Sequence, residues 1–363
     1  LPKVTIKDVA VYSGVSLGTV SRVLNGKADV QNEYVSRVNQ AIEALGYKPL
    51  VKRNPTPEIT AVTQKPKVKS VGFLFDRFDD QEQMQQDQFD IAMLRGISNC
   101  LFEKQMQLVY EPCRKLIDED RLPQMLTSGS VDGILLKLED ATHVPWVKRI
   151  AKACPTVVLG VTNRDERYGV HSVLHDNYLS AYQAMAFLYD LGHQRIGYWA
   201  VTNNGWMPIY HIQRRQGFER AIEWLGLPFE SDWLLEPEHD VFEQPFEEVA
   251  RESLAQWLAM GSKRPTAVMC VSDSHALAMI QACRKLGLSV PEDMSIIGFM
   301  DMYDASRTAP QITSVAFPNP ETGRQAIQIL GEIKENPHAD IKHISFGGRV
   351  IERKSHAKPY DSK

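Results

Sequence analysis

A chain of 363 residues, 43% hydrophobic and 24% charged, is long enough for two or three packed domains, and its composition excludes a disordered tail, a collagen-like fibre and a disulfide-held miniprotein. Its formal net charge of -4 divides unevenly: residues 1–70 hold 11 Lys and Arg against 5 Asp and Glu, a net of +6, and the remainder holds 30 against 40, a net of -10. A basic head on an acidic body predicts a polyanion-binding module joined to a domain that avoids non-specific nucleic acid contact.

No run approaches the roughly 18 apolar residues of a membrane span, and no apolar secretory stretch opens the sequence, so no membrane partner and a cytoplasmic location are expected. Cys100, Cys113, Cys154, Cys270 and Cys283 form no C-x-x-C pair and are odd in number. Buried or incidental thiols are expected, with neither a disulfide framework nor a zinc ribbon.

From Thr5 to Tyr47 apolar residues recur at helical spacing: Ile6, Val9 and Ala10, then Val20, Val23 and Leu24, then Val35, Val38, Ile42 and Leu45. Three short helices are predicted. Thr5 is placed as an N-cap with Asp8 three residues on, and Ser16 caps the second helix after a turn at Gly14, so about three residues separate the first two helices. That arrangement is a helix-turn-helix. At about 100° per residue, Val20, Val23 and Leu24 share one side of the second helix. Gly18, Ser21, Arg22 and Asn25 share the opposite side, and Leu17 lies on the border. Arg22 can donate two parallel bonds to guanine O6 and N7, while Ser21, Asn25 and Thr19 are short donors suited to phosphate oxygens. The competing reading is an ordinary solvated helix face.

Residues 48–69 hold Pro49, Pro55, Pro57 and Pro66 among Lys, Arg and Thr with no sustained apolar period, and read as a linker. Beyond it, strands are predicted at Ser70 to Phe75, Gln107 to Tyr110, Gly133 to Leu138, Thr156 to Val161, Arg195 to Ala200, Thr266 to Val271 and Ser295 to Phe299. Helix-period segments lie between them, at Phe89 to Gln105, Asn177 to Leu191, Arg214 to Leu225, Phe246 to Met260 and His275 to Leu286. Such alternation implies parallel sheets covered by helices on both faces, and two sheets fit this length better than one.

The run V-T-I-K-D-V-A-V-Y-S-G-V-S-L-G-T-V-S-R-V-L-N-G from Val4 to Gly26 closely resembles the head of the lactose-repressor/galactose-repressor family of bacterial transcription regulators. The resemblance continues through L-G-Y-K-P (Leu45 to Pro49), H-D-N-Y-L-S-A (His175 to Ala181), L-G-H-Q-R-I (Leu191 to Ile196) and R-R-Q-G-F (Arg214 to Phe218). It runs on through V-S-D (Val271 to Asp273), L-G-L-S-V-P-E-D-M-S-I-I-G-F (Leu286 to Phe299) and R-V-I-E-R-K-S (Arg349 to Ser355). It implies a three-helix helix-turn-helix domain over 1–49, a linker or atypical hinge over 50–69, and an α/β effector-binding and dimerisation body over 70–353, followed by a tail at 354–363. That body would have two Rossmann-like lobes, as in a type I periplasmic sugar-binding protein. The implied crossings between lobes fall near Leu174, Met302 and Ala316. They give lobe one about 70–174 plus 303–316, and lobe two about 175–302 plus 317–353.

The resemblance further implies DNA contacts from Thr5, Ser16, Leu17, Gly18, Thr19, Ser21, Arg22, Asn25 and Tyr47. Leu17 would press on a thymine methyl, and Gly18 would let the backbone approach closely. The family's hinge motif A-x-x-L is missing. Two readings follow for the linker: a weaker hinge helix capped at Thr56 with Ile59 or Val62 as minor-groove wedge, or a Pro-rich tether with no such role. For the cleft it implies Arg214 gripping the effector from lobe two, with Asp273 opposing it and an ion pair between the two as the alternative. Thr162, Asn163, Trp206, Tyr210, Phe242 and Asp301 are further candidates. Met300 stands where most members carry an acid.

A small-molecule effector, most simply a sugar or sugar derivative, is expected to control binding to pseudo-palindromic operator duplex. The chain shows no G-x-x-x-x-G-K-[ST], G-x-G-x-x-G or H-E-x-x-H motif, so no catalytic residue, metal site or cofactor is expected. A two-lobed solute receptor or an enzyme on the same architecture is the alternative. Without leucine-rich heptads near the C-terminus, a homodimer is expected.

Overall fold

The computed structural model describes residues 4–24, 30–47, 70–75, 88–138, 144–160, 169–202, 207–238 and 246–360. Two compact units are present, Leu1–Lys67 and Val68–Lys363. Most of the linker, including Ile59 and Val62, lies outside the described residues.

The head holds α1 (Ile6–Ser13), α2 (Leu17–Leu24) and α3 (Asn32–Leu45). Both the backbone N–H and the hydroxyl of Thr5 donate to the Asp8 carboxylate, at 2.8 and 2.7 Å, which fixes the entry to α1. Gly14 ends α1 in the left-handed region at φ 65°, where its N–H reaches Ala10 and Val11. Ser16 starts α2 by accepting from the Thr19 N–H at 3.1 Å. The three-residue turn is therefore as predicted. Val9, Val20, Val38 and Ala41 are fully buried, with Ile6, Val23, Leu24, Ile42, Leu45 and Tyr47 packed around them.

The body contains two six-stranded sheets. The first is ordered β11-β5-β4-β3-β1-β2 and comprises β1 (Ser70–Phe75), β2 (Gln107–Pro112), β3 (Gly133–Lys137), β4 (Thr156–Gly160), β5 (His171–Asp176) and β11 (His343–Gly347), all parallel. The second is ordered β12-β10-β9-β8-β6-β7 and comprises β6 (Ile196–Trp199), β7 (Leu234–Leu235), β8 (Ala267–Cys270), β9 (Ser295–Phe299), β10 (Thr313–Ala316) and β12 (Arg349–Ile351). Here only β12 runs antiparallel. Central strands such as β1, β3, β4 and β9 are buried along their whole length, which is why they read as unbroken apolar runs.

Helices cover both faces of each sheet. On the first, α4 (Gln88–Glu103) packs one face with the C-terminal α12 (Asn319–Glu335), while α5 (Arg114–Asp118), α6 (Gln124–Thr127) and α7 (Val144–Ala153) cover the other. On the second, α8 (Asn177–Asp190) and α9 (Ile209–Leu225) pack one face, and α10 (Phe246–Ala259) and α11 (Asp273–Lys285) the other. All five cysteines are free and buried, as expected. Among the described residues no helix is long and apolar enough to cross a membrane.

The strand pairings correct the lobe assignment. The chain crosses at 176–177, between 316 and 319, and at 347–349: the crossings expected near Leu174 and Ala316 are found there, and the one expected near Met302 falls instead at 347–349. Residues 303–316 belong to lobe two, because β10 pairs β9 in register Thr313 to Ile297. Residues 319–347 belong to lobe one, because α12 packs on α4 and β11 pairs β5. Hydrogen bonding at a strand edge decides this, and the apolar spacing of β5, β10 and β11 is too short to reveal which sheet receives them.

Helices α8 and α9 approach closely at Gly217, where an added Cβ would lie 2.2 Å from the Tyr178 carbonyl oxygen and 2.8 Å from the Ala181 Cβ. Backbone cannot yield as a flexible side chain can. Gly217→Ala is therefore expected to lower stability by about 1–3 kcal/mol, read as a reduced denaturation midpoint; an unchanged midpoint would place slack between these helices.

Candidate functional site

Two surfaces carry the residues singled out in the sequence. In the head, Ser16, Leu17, Gly18 and Arg22 are exposed along α2, and Thr19 and Ser21 are half-buried beside them. Val20 points inward, fully buried. This is the division into packing and presented faces that helical periodicity predicts. Leu17 is 44% exposed, a position suited to contact with a base methyl. Thr5 is exposed at the head of α1 and Tyr47 packs against the core. Asn25 lies outside the described residues. Sequence reasoning passed over Val11 and Tyr12, which are 83% and 61% exposed at the end of α1. The only signal was that both fall off the apolar stripe formed by Ile6, Val9 and Ala10.

In the body, the carboxyl ends of the strands of both lobes meet the crossings, the position where ligands bind in open α/β sheets. A groove of about 550 Å³ opens along the first crossing, lined from both lobes by Leu174, Asn177, Ile209, Gln213 and Ser345. Arg214, on α9, is 2% exposed. Its Nε donates to Asn177 Oδ1 at 2.9 Å and its Nη1 to the Val271 carbonyl at 2.5 Å. The guanidinium carbon lies 4.7 Å from the Phe299 ring centroid, 5.0 Å from Tyr210 and 5.9 Å from Phe317. Stacking on those faces holds it in place. Burial lowers its pKa to about 10, and the guanidinium stays charged near neutral pH.

Asp273 finds its hydrogen-bond partners away from Arg214. Both residues belong to lobe two, and no ion pair joins them, which corrects the ion-pair alternative. The Asp273 carboxylate accepts from the Ser314 hydroxyl at 2.6 Å and the Met302 N–H at 2.7 Å. It thereby fastens the loop after β9, where Met300 and Asp301 both take positive φ, 94° and 50°. Burial pushes its pKa up to about 7, against the two hydrogen bonds, which lower it. Asp301 is likewise occupied within lobe two, 2.6 Å from Arg353 Nη2, with its N–H donating to Ser314 Oγ.

Of the aromatic candidates, Tyr210 lies at the start of α9, while Trp206 and Phe242 fall outside the described residues, as do Thr162 and Asn163. Beside Tyr210 an array the sequence did not reveal links His211, His275, Phe246 and Trp199, with ring centroids 4.8 to 5.6 Å apart. Asn177 was also missed as a site residue, although it stands in the H-D-N-Y segment. Its Nδ2 donates to the His175 carbonyl, so the partner of Arg214 is itself held at the crossing. His175 is buried against Phe317 at 4.7 Å, and burial, then Lys137 and Arg214, lower its pKa to about 3. Among the described residues no group of His, Cys, Asp or Glu is arranged to hold a metal ion.

Residues 5–50 match the model of the bacterial regulatory proteins of the lacI family, and residues 185–356 match a periplasmic binding protein-like domain. The ribose operon repressor of Haemophilus influenzae is 28% identical over 357 residues, covering 97% of this chain and 98% of that protein. The transcriptional regulator CelR in its cellobiose complex has a similar fold, with a TM-score of 0.65 at 24% identity over 97% of this chain and 100% of that one. The lac repressor dimer bound to operator and the anti-inducer ONPF gives 0.62 at 20% identity, over 98% and 100%.

The raised pKa of Asp273 fixes a sign. Its folded value, about 7, exceeds the ordinary 3.8, so folding takes up a proton between those pH values and this group costs stability as pH rises through them. His175, with its lowered pKa, acts in the opposite direction over much of that window, so the difference between variants is the readout. Relative to Asp273→Asn, the wild type is expected to lose up to about 1.4 kcal/mol per pH unit between pH 4 and 7 and nothing further above, measured by urea denaturation across pH. Parallel curves would mean that Asp273 stays ionised.

Proposed function

The chain is a transcription regulator of the LacI family, and from that premise we propose that it binds a pseudo-palindromic operator as a homodimer, with one α2 helix per half-site, and represses the genes beside it. The observation that carries this reading is the presented face of α2, where exposed Arg22 and Leu17 flank Gly18 on a helix whose opposite side is buried. Arg22 reads guanine, Leu17 a thymine methyl, and Ser16, Thr19 and Ser21 meet phosphate oxygens together with Thr5 and Tyr47. A small molecule, a carbohydrate or close derivative, binds between the lobes of the body and alters operator affinity. The ribose operon repressor and the cellobiose complex among its relatives support that choice. Arg214 is the principal effector contact and Tyr210 stacks on the ligand.

Action by binding alone, without catalysis, accords with relatives that are regulators. A ligand in the cleft can shift DNA affinity only by binding the operator-competent and incompetent arrangements unequally. The crossings are where those arrangements differ, and Arg214 is fastened there through Asn177.

Selection of genomic fragments by the purified protein, followed by mobility shift, tests the reading. Arg22→Ala is expected to cost about 1–3 kcal/mol of discrimination at one base pair of each half-site while weak, salt-sensitive binding to any duplex persists. An unchanged site preference in this variant would take Arg22 off the reading face.

A further inference from the structure

The geometry points to a second ligand site in lobe two, away from the cleft: a pocket among Arg195, Arg264 and Lys358 that takes a phosphate group, carried by free phosphate or by a phosphomonoester. Arg195 directly precedes β6, Arg264 stands three residues before β8, and Lys358 belongs to the tail. The pocket they line has a volume of about 90 Å³ and lies at the amino ends of the lobe-two strands, the opposite end from the crossings. Pockets for drug-sized ligands span about 300–1,000 Å³. This one has room for a few waters of ~30 Å³ each, or for one tetrahedral oxyanion with the rest of an ester projecting into solvent.

Each guanidinium is anchored on one edge and open on another. Arg195 Nε donates to the Arg264 carbonyl at 3.0 Å, and Arg264 Nη1 donates to the carbonyls of Asp293 and Pro265 at 3.1 and 3.3 Å. Both Nη nitrogens of Arg195, Nη2 of Arg264 and the Lys358 ammonium have no hydrogen-bond partner among the described residues. Nor, among those residues, does an ion pair join any of the three cations to an acid. Forks already fixed by backbone carbonyls cost little further order when a ligand arrives. Three like charges in one pocket repel, and an anion relieves that repulsion.

The two acids on the rim leave the cations unneutralised. Glu292 is exposed, and the Asp293 carboxylate is taken up by the Ser289 N–H at 2.7 Å. His193, on the pocket wall, is buried and engaged: its ring nitrogens meet the hydroxyls of Thr266 and Ser295 and the carbonyl of Ala357, and burial lowers its pKa. Ser295 Oγ also accepts the Ala357 N–H at 2.9 Å. The tail is thereby fastened one residue before Lys358. A carboxylate offers two oxygens and a single charge, whereas a phosphate group offers three oxygens and up to two charges, enough to engage both forks and the ammonium together.

The full chain is to be titrated by calorimetry and thermal shift with inorganic phosphate and with glycerol 3-phosphate, at an ionic strength held constant with chloride. Saturable binding with a Kd below about 10 mM is expected for at least one of them. Binding of both assigns the site to the phosphate group whatever carries it, and binding of one alone identifies the source. Arg195→Gln and Arg264→Gln should each weaken binding about tenfold or more and Lys358→Gln a few-fold. Lys152→Gln, which removes an exposed charge from lobe one, should leave it unchanged. If Arg264→Gln does not fold, Lys358→Gln decides, since that side chain is exposed and holds nothing in place.

The absence of saturable binding by either compound overturns the inference, as does a loss in Lys152→Gln equal to that in the arginine variants. Binding that persists in Arg195→Gln, Arg264→Gln and Lys358→Gln but is lost in Arg214→Gln also overturns it and places the anion in the cleft, so the effector reading of the cleft survives that failure.

Discussion

The body is organised around one buried guanidinium. Arg214 reaches from α9 to Asn177 at the first crossing, to the carbonyl of Val271 at the end of the second sheet, and across the rings of Phe299 and Phe317. Those four partners stand on separate segments, two of them at crossings between lobes. A charge this deeply buried tolerates few arrangements, so the segments that satisfy it are placed with respect to one another.

The loop after β9 answers to a second constraint. Met300 and Asp301 hold positive φ without being glycine, a cost of about 1–3 kcal/mol each that the surroundings must offset. Asp273 offsets it by accepting the Met302 N–H, and Ser314 by accepting that of Asp301. Arg353, from the last stretch of the chain, fixes the Asp301 carboxylate. Asp273 and Asp301, which the family resemblance marks as effector contacts, are both engaged within lobe two. Arg214 bonds through Nε and Nη1 to Asn177 and Val271 and takes no part in these contacts.

The head obeys simpler rules. Its core is four fully buried aliphatic side chains and their neighbours, so helix caps and the Gly14 turn carry much of its definition. The Thr5–Asp8 contact and the Ser16 cap set where α1 and α2 begin. A shift of one residue in α2 would carry Arg22 into the place of Val23, toward the core, or, in the other direction, Val23 into the place of Arg22, toward solvent. Local sequence therefore decides which face is presented.

That difference separates what was legible in the sequence from what was not. The amino-acid order by itself determined the three head helices, the presented face of α2, and the central strands, because each follows from spacing within a single element: Ser295–Phe299 appears residue for residue as predicted. It also marked Arg214, through a motif rather than through any physical signal at that position. Only the tertiary structure decided that β10 joins the second sheet and that α12 and β11 return to the first. Short edge strands such as His343–Gly347 carry little periodic signal, and their place is set by hydrogen bonds to a partner strand 171 residues distant, as between Ser172 and His343. The same holds for Asp273. Its motif suggested a ligand contact, but the Ser314 hydroxyl and Met302 N–H that its carboxylate accepts from are brought within reach by packing and are not visible in the order of residues along the chain.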